Sequence, residues 1–257
     1  PHIVTGVPEH HLLISMCEGL TIANPKGGDN LPGVAESWSI DEAGKVYNFY
    51  LNKNAKWSNG DPLVAEDFVW SWKRILTSSL GSQYPDMLYY VKGAADFHQG
   101  ITNDFSAVGV KAINDHELRV ELNNPTPFFI KLLSHYSTYP VHKKTILAHG
   151  SIDDRNGQWT RPGNFVCNGP MNLKTWELNK QITVEKNPLY WDAENVQLNE
   201  IRYFPVSNES TEDRMFRAGQ LHVTSVVPLE KCPVYIENKN PNLRIEPYMG
   251  TYFYRIN

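Results

Sequence analysis

Four short stretches of this chain alternate apolar and polar residues with a period of two, and this alternation restricts the fold more than any other feature. In KVYNFYLN, residues 45–52, Tyr47, Phe49 and Leu51 fall on one face. In HELRVELN, residues 116–123, Leu118, Val120 and Leu122 point one way while Arg119 and Glu121 point the other. KQITVEKN repeats the design with Ile182 and Val184, and NLRIEPY with Leu243 and Ile245. Strands patterned in this way have one face to bury, and the chain must supply helices or a second sheet to cover it.

One helical stretch is clear. After the turn Asn59-Gly60-Asp61-Pro62, Phe68, Trp72 and Ile75 recur at i, i+4 and i+7 within NAKWSNGDPLVAEDFVWSWKRIL, residues 54–76. Trp70 falls on a different face from Trp72, and Trp57 lies ahead of the turn. STEDRMFRAGQLHVT predicts a capped helix carrying Met215 and Phe216, ended by Gly219, with Leu221 to Thr224 continuing as a strand. PFFIKLLSHY predicts a short helix from about Phe128. HGSIDDRNGQWTRPGN, residues 149–164, is the longest polar connection and marks a passage between two substructures. The fold class that results is mixed α/β (α+β), with short strands and few helices.

Composition narrows the function. Lys and Arg number 24 against 28 Asp and Glu, a net charge of -4 that gives no reason to expect nucleic acid as a partner. No apolar run approaches the roughly 18 residues needed to cross a bilayer. PHIVTGVPEHH lacks both the basic and the apolar regions of a signal peptide, so the expectation is a soluble chain whose targeting signal has been removed. Cys17, Cys167 and Cys232 are widely spaced, so buried unpaired thiols are expected ahead of a disulfide, and no zinc site is expected.

Catalytic signatures are missing: there is no GxSxG, P-loop, GxGxxG or HExxH. Glu9, His10 and His11 are adjacent, a spacing poor for a shared metal, and a solvated loop is the expectation there. Asp153-Asp154 and Glu212-Asp213 read as a loop and a helix start, where the macrodipole favours acids. The sequence NES at 208–210 matches a glycosylation sequon, a weak pattern. The 13 tyrosines and 7 tryptophans, concentrated in YPDMLYY, NPLYWD and PYMGTYFYRIN, suit either core packing or a wet, side-chain-tolerant groove.

NAKWSNGDPLVAEDFVWSWKRIL, FVCNGPMNLKTWELNKQITVEKNPLYWD and EPYMGTYFYRIN together resemble the periplasmic oligopeptide-binding proteins of ABC importers, within family 5 of the extracellular solute-binding proteins. The likeness runs in one order through CEGL, LPGVAESW, VGVKAINDHELRVEL and FRAGQLHVT to the last residue. It implies a periplasmic-binding-protein type II-like lobe, residues 1–17 and 143–257, with a small α+β domain inserted at 18–142. The second lobe of such proteins is absent from this chain. The implied ligand is an extended oligopeptide, recognised through its backbone. The implied partners are that missing second lobe and the membrane permease of an ABC transporter, with no cofactor and no enzymatic activity. The implied location is the periplasm, or a lipid anchor outside a Gram-positive cell.

Residue by residue, TGVP resembles the family's first ligand-facing segment and makes Thr5 and Val7 candidates for backbone contacts. Thr5 stands where a relative carries a carboxylate. Tyr84 resembles a pocket tyrosine of the small domain. Ser225 and Val226 occupy a segment that reaches the peptide, and Tyr248 and Phe253 resemble cleft aromatics beside the hinge. Val64 stands where relatives often begin the helix with threonine, which costs a cap worth about 1 kcal/mol unless Asp61 or another group substitutes. Half a cleft is expected to bind peptide weakly. Two other readings stay open: a lobe recruited as a protein-interaction or dimerisation module, and a binder of another small solute such as a sugar.

Overall fold

The computed structural model describes residues 1–246 and Tyr254. The chain divides into two compact units, Pro1–Tyr203 and Phe204–Asn257.

The first unit opens with helix α1 (Val7–Met16), N-capped by Gly6 and carrying Pro8 in its first turn, where a missing amide costs nothing. This corrects the loop expected around Glu9, His10 and His11. The segment carries little helical periodicity because Leu13 and Met16 are buried while Val7 and Ile14 on the same helix are exposed. A small ladder, β1 (Thr21–Ile22) with β2 (Leu31–Pro32), follows. Then come β3 (Ala35–Ile40), β4 (Val46–Leu51), α2 (Ala65–Leu76), α3 (Ala94–His98), β5 (Val110–Asn114) and β6 (Glu117–Glu121).

β3, β4, β6 and β5 form an antiparallel sheet in that order. Its register sets Tyr47 against Val120 and Phe49 against Leu118, so the alternating residues share one face, and all four are buried. Phe68, Trp72 and Ile75 of α2 pack onto that face, as their spacing predicts. Trp70, on the other side of α2, enters a separate core with Val141, Ile146 and Trp159. No side chain caps α2 at Val64; Asp67 supplies the reciprocal half of a capping box, its Oδ2 accepting the Val64 amide at 3.0 Å. Asp61 is engaged elsewhere, with His142 and Lys144.

After α4 (Phe129–Leu132) and α5 (Lys143–His149), a second antiparallel sheet is built from β7 (Met171–Glu177), β8 (Gln181–Lys186) and β9 (Glu200–Tyr203). Leu13, Met16 and Cys17 share a core with Tyr136, Tyr139, Cys167, Met171 and Val184. Gly169 donates its amide to the Met16 carbonyl at 2.9 Å, and a Cβ there would lie 2.6 Å from the Met16 carbonyl carbon. Only glycine permits that approach. The Asn168 side chain accepts the Glu18 amide and donates to the Glu18 carbonyl. These bonds fix the C-terminal end of α1 and so set where its N-terminus stands. All three cysteines are free, Cys17 and Cys167 buried and Cys232 partly so.

The second unit holds α6 (Glu209–Arg217) and α7 (Cys232–Glu237). Asn208 caps α6, its side chain accepting the Thr211 amide at 2.9 Å, and Gly219 takes a positive φ just beyond the helix. The strands expected at Leu221 to Thr224 and around Leu243 and Ile245 do not form. Alternation makes a strand only when a neighbour completes the ladder, and the described residues of this unit contain no strand to pair with. Val223 and Ile245 are accordingly 81% and 70% exposed.

Candidate functional site

The candidate site begins at the segment leading into α1. Thr5 is exposed and Val7 is 67% exposed, unusual for a valine in the first turn of a helix whose far end is buried. Two tyrosines distant in sequence hold this segment. The Tyr84 hydroxyl donates to the Thr5 carbonyl at 3.4 Å, and the Tyr136 hydroxyl donates to the Val4 carbonyl at 3.1 Å. The Gly6 carbonyl accepts the His10 amide at 3.1 Å, the first hydrogen bond of α1. The carbonyls are therefore engaged, whereas the amides of Thr5, Gly6 and Val7 have no partner among the described residues. A stretch of exposed backbone with spare donors can accept an extended chain laid beside it.

Local sequence explains how the tyrosines arrive there. Tyr84 precedes Pro85, whose fixed φ starts a short 3-10 turn over Pro85–Leu88. Tyr136 begins another such turn, Tyr136–Thr138, after α4 has ended. The Tyr84 ring meets His135 edge-on at 5.3 Å and Tyr136 at 6.2 Å. Burial, and then the nearby Tyr84, push the Tyr136 phenol up to about 12, so it stays a neutral donor.

Ser225 and Val226 lie in the second unit, in the loop after α6. The Ser225 amide donates to Oε1 of the buried Glu212 at 2.7 Å, while Val226 is 47% exposed. Tyr248 and Phe253 lie outside the described residues. The structure thus brings Thr5, Val7 and Tyr84 together in the first unit. It adds His135 and Tyr136, which sequence reasoning missed, and His10, which the sequence reading had assigned to a solvated loop. His135 and Tyr136 stand at the end of PFFIKLLSHY, where the polar pair after Leu132-Leu133 was the only available signal.

One further arrangement has the look of a catalytic relay. His142 pairs through Nε2 with Asp61 at 3.1 Å, and its Nδ1 accepts from the Thr145 hydroxyl at 2.7 Å. His142 is 4% exposed and its Nδ1 also takes the Thr145 amide, so the group works as the N-cap of α5. Among the described residues no cluster of three or more His, Cys, Asp or Glu side chains is arranged to hold a metal ion.

Comparison with known proteins bears on the family and the fold. Residues 31–257 match the bacterial extracellular solute-binding proteins, family 5 Middle. The periplasmic oligopeptide-binding protein OppA of Escherichia coli is 38% identical over 260 residues, covering 100% of this chain and 46% of its own. The oligopeptide-binding protein OppA of Bacillus subtilis is also 38% identical, covering 93% of this chain and 43% of its own. Among solved structures, Haemophilus influenzae OppA in complex with RPPGFSPFR superposes with a TM-score of 0.87 at 32% identity, over 93% of this chain and 46% of that one. Burkholderia pseudomallei OppA gives 0.86 at 31% identity, over 93% and 45%. The chain spans about half the length of the relatives it matches, and its mixed α/β fold is that of the matched part of these structures.

Proposed function

The chain belongs to the bacterial extracellular solute-binding proteins of family 5, and from that membership we propose that it is part of the oligopeptide-binding component of an ABC importer. It contributes one side of a cleft that closes on an extended peptide and hands it to a membrane permease. Residues 1–17 and 143–257 form the ligand-binding lobe and residues 18–142 a small domain inserted in it. Binding takes place outside the cytoplasmic membrane, in the periplasm or on a lipid-anchored protein. The relatives are solute-binding proteins, and the activity proposed is binding without turnover.

The observation that carries this reading is the segment from Val4 to Val7. Tyr84 and Tyr136 hold the Thr5 and Val4 carbonyls, and the amides of Thr5, Gly6 and Val7 have no partner among the described residues. Backbone donors read a peptide's carbonyls without regard to its side chains, which suits a carrier of varied peptides. Thr5, Val7 and Tyr84 are the contact residues proposed in the first unit; Ser225 and Val226 in the second unit, and Tyr248 and Phe253 outside the described residues, are proposed from the family resemblance alone.

The test is calorimetry of the full-length protein with tri-alanine, alongside native mass spectrometry of the protein as isolated. Saturable one-to-one binding, or copurified peptides of a few residues, is the expected result. A full-length, folded protein that retains no peptide and binds none would overturn the proposal.

A further inference from the structure

Two imidazoles stand beside the exposed segment with unused hydrogen-bonding atoms. His135 accepts the Ser137 amide on Nδ1 at 3.3 Å, with the Ser137 hydroxyl 2.7 Å from the same nitrogen. The neutral ring therefore carries its proton on Nε2, which has no partner among the described residues. His10 projects from the first turns of α1, and neither of its ring nitrogens has a hydrogen-bond partner among the described residues. Both rings lie against Tyr136, His10 at 5.7 Å and His135 at 4.2 Å between centroids. Both are only partly buried. Tyr136 is the residue whose hydroxyl holds Val4, so the pair stands next to the backbone assigned to the ligand.

We propose that His10 and His135 form a side-chain subsite for a carboxylate, so that this protein favours acidic peptides, and favours them more as the pH falls. The inference rests on the peptide-binding reading. A carboxylate seated between the two rings accepts a hydrogen bond from each. When a ring takes up a second proton, that contact becomes a charge-assisted hydrogen bond, roughly twice as strong as a neutral one.

The unliganded rings are poised to respond. Burial, and then the neighbouring His11, lower the affinity of His10 for a proton. Burial and then His10 do the same to His135, opposed by Asp86. A bound acid reverses that bias. By linkage, each unit by which it raises an imidazole pKa adds up to about tenfold to its affinity in the protonated state. The other titratable groups facing the pair are Glu9 and His11 from α1, Tyr84 and Asp86 from the turn that follows it, and Tyr136 itself.

The experiment uses the full-length protein and four tripeptides: tri-alanine, and alanine peptides with one glutamate in each position in turn. Affinities are measured by calorimetry at about pH 5.5 and about pH 7.5, on either side of the ordinary histidine value. The expected result is one glutamate position that binds about tenfold tighter than tri-alanine at the lower pH, with the advantage shrinking several-fold at the higher. His10→Ala, which removes the donor, should erase most of the advantage. His10→Gln, which keeps a neutral donor, should keep part of it and lose the share of the pH dependence that His10 carries. Glu9→Gln and Asp86→Asn should leave the acid-over-neutral ratio dependent on pH. If tri-alanine binds and no glutamate position gains, or the gain is the same at both pH values, the subsite is overturned and the peptide-binding reading stands. If none of the peptides binds, both fall.

Discussion

The indole of Trp191 donates its Nε1 proton to Oε2 of Glu18 at 2.7 Å, across a separation of 173 residues, in the middle of the first unit. The Tyr190 hydroxyl donates to the other oxygen at 2.5 Å, and Glu18 is 3% exposed. The two aromatic residues of NPLYWD are therefore the donors that satisfy a buried acid at the exit of α1. Asn187, the first residue of that motif, shapes the turn by accepting the Leu189 amide and donating to the Gly169 carbonyl. Of the two uses the sequence left open for its aromatics, packing or a wet groove, Tyr190 and Trp191 serve the interior, in a buried polar network.

The network makes stability depend on pH. Burial raises the Glu18 carboxyl from 4.5 to about 7, outweighing the two donors. The folded state therefore holds a proton that the unfolded state has released, and this favours folding at low pH. Between those two values stability falls as the pH rises, by at most about 3 kcal/mol. Glu18→Gln removes the titration while keeping an acceptor for Trp191, and the Tyr190 hydroxyl can turn to accept from the amide. Urea unfolding across that range should give a flatter profile for the variant, with the variant more stable near pH 8. Parallel profiles would show that Glu18 does not titrate there.

Asp67 carries two duties on one oxygen. It accepts the Val64 amide at the start of α2 and the Trp57 indole, both at 3.0 Å, and Trp57 is 1% exposed. Asp67→Ala leaves a buried indole donor and the Val64 amide unpaired, and should cost about 3 kcal/mol. Asp67→Asn, which keeps an acceptor, should cost about 1 kcal/mol. Denaturation midpoints at constant slope provide the check; equal losses for the two variants would mean that charge, and not the hydrogen bond, is what matters.

In the second unit Asp213 plays the organising part. Its carboxylate accepts from Lys231, from Arg217 at 3.0 Å and from the Tyr235 hydroxyl at 2.6 Å, joining α6 to α7. Lys231 and then Tyr235 hold the carboxyl below the usual carboxylate range. That contribution is present above the ordinary aspartate value and is lost as the pH falls through the depressed one. Asp213→Ala should speed proteolytic cleavage between 204 and 246 several-fold, with fragments of 1–203 accumulating intact. Unchanged cleavage at pH 7 would show that apolar packing alone holds α6 to α7.

These relationships show which parts of the molecule were legible in the sequence. Tyr47, Phe49, Leu118 and Val120 were, because a period of two assigns a face before any partner is known. Phe68, Trp72 and Ile75 were legible for the same reason, at the helical period. The far face of α2 was not: Trp70 packs on Trp159, 89 positions further along, and no local pattern encodes such a pairing. The strand expected at Leu221 to Thr224 failed in the opposite sense, since alternation was present while the described residues of its unit hold no ladder partner. At the candidate site, resemblance named Thr5, Val7 and Tyr84, and the fold sets Tyr84 against the Thr5 carbonyl. His10, His135 and Tyr136 required the fold, because only the docking of α1 against the turn after α4 brings them together.

The two tyrosines that hold the exposed segment offer the most direct test of how it works. If their hydroxyls serve to fix the segment for a ligand, removing them should cost affinity while sparing stability. Tyr84 is half-buried and its hydroxyl lies at the surface, so Tyr84→Phe should change unfolding free energy by less than about 1 kcal/mol. Tyr136→Phe, which leaves the Val4 carbonyl without its donor at a more buried ring, should cost about 1 kcal/mol. For the full-length protein, each variant should bind tri-alanine roughly three- to tenfold more weakly, as expected for one lost neutral hydrogen bond. The double variant should lose less than the product of the two, because both bonds restrain the same stretch of backbone. Full affinity in both single variants would mean that the segment keeps its position without them, and that the ligand-facing edge is set by α1 alone.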